Sequence, residues 1–182
     1  MPAIAPMPVL PEVTVPLSEL VPRRCRHYFN PHSGRGAYRV RCYDFGSSVQ
    51  FMPLVRAFLD TCADHRDTDY RYLFTLLGSE LANNALCHSR SGEPFGTYTL
   101  RCVRRRDGLQ LTCHDQGSKA ISTDFPLTAA PDGLNPDAES GRGLAMVDAL
   151  ATDWGDNGVA DFRQVWFFLA YDLAGSRWNS QP

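Results

Sequence analysis

Apolar residues along this chain fall into short runs with two different periods. Phe51, Leu54, Val55, Phe58, Leu59 and Cys62 recur at helical spacing, and Ser47 or Ser48 stands where a cap belongs. After a polar break over 64–69, Leu73, Leu76, Leu77 and Leu81 recur the same way, with no proline between Tyr70 and Cys87. A second helix is predicted there. Tyr38 to Phe45 alternates and predicts a strand with Tyr38, Val40 and Cys42 on one face. Thr97–Arg104 and Leu109–His114 also alternate, which predicts an antiparallel hairpin. Leu100 and Cys102 then share a face with Leu111 and Cys113, and Asp115 ends that buried row. A short helix is predicted from Gly143 through Val147 to Leu150, with its Leu144–Leu150 stripe in the core and Asp153-Trp154-Gly155 closing it. Phe162 to Tyr171 reads as an apolar last strand.

The order strand, helix, helix, hairpin, long loop, helix, strand predicts an α+β fold. Its expected form is a two-layer sandwich, with helices on one face of a mostly antiparallel sheet. Residues 1–22 hold six prolines (Pro2, Pro6, Pro8, Pro11, Pro16 and Pro22), which are read as excluding a helix or a central strand. With the basic stretch 23–36 they are read as an arm and a connection. The folded domain is placed at 37–173, followed by a tail at 174–182. Ser118 to Ser140, rich in Pro, Gly, Ala and Asp, is read as a functional lid.

Composition narrows the partners. The 182 residues are 43% hydrophobic, enough for one domain with a real core. A net charge of −2 gives no electrostatic case for nucleic acid or an anionic membrane surface. There is no run long and apolar enough to span a bilayer and no leader pattern at the N-terminus, so a cytoplasmic protein is expected. The six cysteines form no CxxC pair and no zinc-type cluster. They read as reduced, small apolar residues. If Asp107-Gly108 is a two-residue turn, Cys102 lies directly opposite Cys113.

The chemistry concentrates in Gly78–Ser89. At about 100° per residue, Glu80, Asn84 and His88 share a side with the leucines. An unpaired polar group buried there costs on the order of 1–3 kcal/mol, and a charge costs more. Alone, Glu80 and Asn84 fit a solvated helix-surface pair equally well. Two further pieces change that balance. Asp115-Gln116-Gly117 ends a strand, where a carboxylate can accept from an amino group such as adenine's. Glu139-Ser140-Gly141-Arg142-Gly143-Leu144 opens a helix, where glycines let backbone N–H groups approach phosphate oxygens. Asn84 offers a hard oxygen suited to Mg²⁺.

Together these three pieces resemble the N, G1 and G2 boxes of the GHKL (Bergerat-fold) ATPases. Within that superfamily the chain looks most like the bacterial anti-sigma-factor serine kinases. Residues 80–89 fit their Glu-Leu-x-x-Asn-Ala-x-x-His-Ser pattern throughout, and 139–147 fit the G2 box. The resemblance covers about residues 38–170 and implies a histidine-kinase-like ATPase domain that binds ATP with Mg²⁺. It implies Asn84 as the metal ligand and Asp115 as the holder of the adenine amino group. Gly117 belongs to the same box. Gly141, Arg142, Gly143 and Leu144 would surround the phosphates, and Glu80 would be the general base toward a serine hydroxyl. The implied partners are a STAS-type anti-anti-sigma protein as substrate and a sigma factor bound by a homodimer. Two positions depart from the pattern. Lys119 replaces a second G1 glycine, and Gln164 stands where a threonine near adenine is usual.

His88 reads more naturally as a hydrogen-bonded structural residue and is kept among the cofactor-binding candidates for its proximity alone. Arg104-Arg105-Arg106 reads as a solvated hairpin tip, Asp132 and Asp137 as lid solubility, and Trp154 and Trp166 as core. Two other functions remain open at this stage. One is a nucleotide-gated anti-sigma binding module without kinase turnover. The other is a stand-alone sensor-kinase-type ATPase domain.

Overall fold

The computed structural model describes residues 17–30, 38–119, 126–129 and 142–173. In chain order these form α1 (Leu17–Leu20), a 3-10 helix (Arg23–Tyr28) and β1 (Val40–Gly46). A short 3-10 turn (Val49–Phe51) then leads into α2 (Met52–Cys62), followed by α3 (Thr68–His88) and another 3-10 turn (Arg90–Gly92). β2 (Thr97–Arg104), β3 (Gly108–His114), α4 (Arg142–Leu150), β4 (Asp153–Asp156) and β5 (Gln164–Ala170) complete the fold. The sheet order is β1-β2-β3-β5-β4 and every pairing is antiparallel. This is the expected α+β sandwich.

The helices start where side chains can cap them. The Asp67 carboxylate accepts from the Tyr70 amide at 3.0 Å and opens α3; Ser48 accepts from Gln50 at 3.2 Å and opens the turn before α2. Leu59, Leu73, Phe74, Leu77 and Leu81 of the helices are buried against Leu100, Leu109, Leu111, Phe167 and Leu169 of the sheet. α3 lies unusually close in this layer. A Cβ on Gly78 would stand 2.7 Å from a Leu59 methyl and 3.0 Å from a Leu111 methyl. The Tyr70 hydroxyl donates to the Leu169 carbonyl at 2.7 Å and fixes the near end of α3 over β5.

Several sequence expectations are corrected. Asp153-Trp154-Gly155 does not close a helix; it pairs with β5 as the edge strand β4. Val40 and Cys42 do share a face of β1, but it is the outer one. Arg41, Tyr43 and Phe45 face inward, and Arg41 is buried, donating to the Thr61 carbonyl at 3.0 Å beneath the rings of Tyr28 and Tyr38. The hairpin turn sits one residue earlier than Asp107-Gly108: Arg104 pairs with Leu109, and the Arg105 amide donates to the Gly108 carbonyl at 2.9 Å, which leaves Arg106-Asp107 as the turn. Cys102 therefore faces Leu111, Cys113 faces Leu100, and both thiols are free. Trp166 lies on the outer face of the sheet, half-buried against Gly155. A single helical turn fits between Pro16 and Pro22, and Val21 of the Pro-rich arm and Phe29 of the basic stretch belong to the core. Among the described residues no helix is long and apolar enough to cross a membrane.

Candidate functional site

The second half of α3 supplies one wall of a cavity. Glu80 and Asn84 are half-buried and His88 is exposed, each one turn beyond the last. α4 starts against that wall, with Arg142 exposed and Gly143 buried. A Cβ on Gly143 would stand 2.7 Å from Glu80 Oε2 and 3.3 Å from Asn84 Oδ1. Only hydrogen on that Cα lets the carboxylate, the amide and the first turn of α4 meet.

The cavity beside this junction has a volume of ≈ 340 Å³, within the range of small-ligand sites. Leu81, Ala85, Cys113 and Val165 give it an apolar interior, and Leu144 of α4 closes one side. Asn84, His88, Asp115 and Arg163 bring polar groups to it, and Leu127 and Thr128 reach it from the connection before α4. A few convergent polar groups around an apolar pocket suit a flat heterocycle with a polar edge.

The loop after β3 is held by the turn that ends α3. Ser89 Oγ donates to the Ala85 carbonyl at 2.7 Å and accepts from the Ser91 amide at 3.1 Å. Ser91 Oγ then accepts from the Gln116 amide at 2.9 Å, and the Arg90 amide donates to the Gly117 carbonyl at 2.8 Å. Asp115 Oδ1 accepts from the Gly117 amide at 2.7 Å. Gly117 has φ +81°, and a Cβ there would stand 2.3 Å from the Asp161 carbonyl oxygen. A left-handed turn under a neighbouring backbone admits only glycine.

Burial pushes the Asp115 carboxyl above its ordinary range, opposed by the Gly117 hydrogen bond and the charge of Arg163. Burial also raises Glu80, opposed by Arg56 of α2. Arg163 is itself paired to Asp156 of β4, an ion pair whose side chains are 11% and 3% exposed. The second Asp156 oxygen accepts from the Leu127 amide at 3.3 Å.

The sequence model described as histidine kinase-like ATPase domain matches residues 52–158, more than half of the chain. The protein belongs to this family. No curated protein matches the chain. The matched stretch runs from the start of α2 past β4 and contains the α3 wall, the Asp115–Gly117 turn and the start of α4. As an ATPase domain it is an ATP-binding protein of the kinase and ATPase type.

Within this ATPase domain the structure brings together most of the residues singled out in the sequence. Asn84, His88, Asp115, Gly117 and Leu144 line one cavity, and Glu80 meets Asn84 at Gly143. Arg142 is at the exposed start of α4. Gly141, Glu139 and Ser140 lie outside the described residues, as do Asp132, Asp137 and most of the Ser118–Ser140 loop. Lys119 donates to the Cys87 carbonyl at the end of α3, at 3.1 Å. Gln164 is not at the site. It stands exposed on the outer face of β5, paired with His114, and Arg163 lines the cavity in its place. Ser91 and Arg163 are the residues that the sequence reading missed. Strand alternation signals Arg163, since Val165 and Phe167 face inward at a two-residue period.

Proposed function

We propose that this protein is an anti-sigma-factor serine/threonine kinase. It would phosphorylate a serine on a STAS-type anti-anti-sigma protein and, as a homodimer in the cytoplasm, bind a sigma factor. The observation that supports this reading best is the meeting of Glu80 and Asn84 at Gly143, which puts a carboxylate beside a metal-competent amide at the mouth of an apolar cavity. A kinase needs a base next to the phosphates; a purely binding ATP module does not.

Asp115 would hold the adenine amino group through the carboxylate edge not engaged by Gly117. Gly141, Arg142, Gly143 and Leu144 would surround the phosphates, with the N-terminus of α4 favouring their charge. The fit to Mg²⁺ rests on the donor chemistry. Asn84 Oδ1 is a hard oxygen, and the carboxylate beside it suits a hydrated cation. When bound there, Mg²⁺ would offset the charge on the phosphate oxygens. Glu80 would take the proton as the serine oxygen bonds to the γ-phosphorus. The bond from that phosphorus to the bridging oxygen breaks, and ADP leaves with the electron pair. His88, exposed at the rim, would contact the nucleotide from outside.

The test is transfer of label from ATP to candidate anti-anti-sigma proteins. Phosphoserine is expected with the native protein, and Glu80→Ala should remove it. Absence of transfer to every candidate, with Glu80→Ala indistinguishable from native protein, would overturn the kinase reading.

A further inference from the structure

One turn between α3 and β2 carries a backbone cost that nothing inside the domain offsets. Glu93-Pro94-Phe95-Gly96 is closed by the Gly96 amide, which donates to the Glu93 carbonyl at 2.8 Å. Phe95, third in that turn, has φ +67° and is the only non-glycine residue at positive φ among the described residues. Proline second with a left-handed third residue is the type II arrangement, which calls for glycine or asparagine in third place. A bulky side chain there is strained, and such strain persists where surrounding contacts hold it. Phe95 has no such cover, being 100% exposed. The turn beneath it is closely seated, since a Cβ on Gly96 would stand 2.5 Å from the Ser91 carbonyl oxygen. A second exposed ring stands on a loop joined to this one. Phe162, between β4 and β5, is 70% exposed. Arg90 ties the two loops: its carbonyl accepts from the Glu93 amide at 3.0 Å, and its guanidinium donates to the Asp161 carbonyl at 3.4 Å. Each ring follows an exposed acid, Glu93 two residues before Phe95 and Asp161 directly before Phe162.

We propose that Phe95, supported by Phe162, is the aromatic anchor for a protein partner that offers an apolar socket rimmed by lysine or arginine. The proposal rests on the regulatory reading above, which supplies the candidate partners. A few aromatic side chains buried in a partner's pocket carry most of the binding energy of such an interface. The charges choose among occupants. The Glu93 carboxylate has no partner among the described residues, and Asp161 meets Arg90 only across an exposed 3.4 Å pair. Both acids are repelled by an anionic membrane surface. A second copy meeting this face with its own would set acid against acid. A basic rim satisfies both.

The test is fluorescence anisotropy of labelled sigma factors and anti-anti-sigma proteins titrated with the full chain. Phe95→Asn removes the ring and suits the left-handed turn. It should weaken the partner by about tenfold or more. Its affinity for a ribose-labelled fluorescent ADP should stay within about twofold of native. Relief of strain should raise its melting temperature by about 2–4 °C. Phe162→Ser should weaken the partner by about threefold. Glu93→Lys should do the same, with an effect that fades at high salt. Partner binding by Phe95→Asn within about threefold of native would overturn the proposal. So would a lowered melting temperature, since the ring would then pack within the domain. Phe95-dependent binding to phosphatidylserine vesicles, or Phe95-dependent self-association in sedimentation, would also overturn it. Failure of every candidate to bind the native chain would remove the regulatory reading, and this surface with it.

Discussion

Gly143 is the residue on which the site closes. A methyl group there would meet first the ends of Glu80 and Asn84, side chains able to move aside. Gly143→Ala is therefore expected to fold, with a stability change under about 1 kcal/mol. It should lose phosphoryl transfer because Glu80 is displaced. Gly117 contrasts with it, since a methyl group there meets backbone oxygen in a left-handed turn. Gly117→Ala should cost about 2 kcal/mol or more in chemical denaturation. The two carboxyls at the site are raised by burial, so their protonated forms are the ones that folding favours. Their contribution to stability is present in acid and is lost as pH rises through the folded-state value. Asp115→Asn and Glu80→Gln should therefore raise the melting temperature near neutral pH, with the gain vanishing in acid. Glu80→Gln should still bind nucleotide while transfer falls by about a hundredfold or more. A lowered neutral-pH melting temperature in both variants would contradict the burial argument.

Among elements, α3 was the most legible. Its leucine spacing announces a helix from about Tyr70, which the structure starts at Thr68 behind the Asp67 cap, and the Glu80–Asn84–His88 ladder follows from one turn per step. The hairpin was legible in face but not in register. Arg105, Arg106, Asp107 and Gly108 carry no apolar pattern to fix where the two-residue turn falls, and a slip of two residues in the pairing keeps every side chain on its own face. Cys102 and Cys113 are thus diagonal neighbours, and mild oxidation should leave both as free thiols by mass spectrometry. A Cys102–Cys113 bridge in the folded protein would refute the register. Gln164 was misplaced by one residue for the opposite reason. A motif was matched where the alternation of Val165 and Phe167 already pointed at Arg163. Asp156 was invisible as a site element, because its partner lies seven residues away across a turn that local patterning does not show.

At the scale of the whole molecule, the layered α+β arrangement could be read from the order of periods. The contribution of the N-terminal stretch could not. Residues 23–28 are basic and polar, yet they deliver Phe29 among Tyr43, Phe45 and Phe58. Only tertiary packing reveals that contact. Phe29→Ala should cost about 3–5 kcal/mol in denaturant unfolding, and a loss below about 1 kcal/mol would place that ring outside the core. Ligand binding acts on the same scale. Saturation at about a hundred times the dissociation constant adds about 2.7 kcal/mol to stability, so Mg²⁺ and ATP together should raise the melting temperature of the native chain.

The central claim is that the cavity between α3, β3, β5 and the start of α4 holds Mg²⁺-ATP through Asn84 and Asp115. Titration calorimetry of ATP, with and without Mg²⁺, into the native chain and into Asn84→Ala and Asp115→Ala tests it most directly. One site per chain is expected, with Mg²⁺ dependence lost in the first variant and binding lost in the second. Native-like, Mg²⁺-dependent binding in both variants would contradict it.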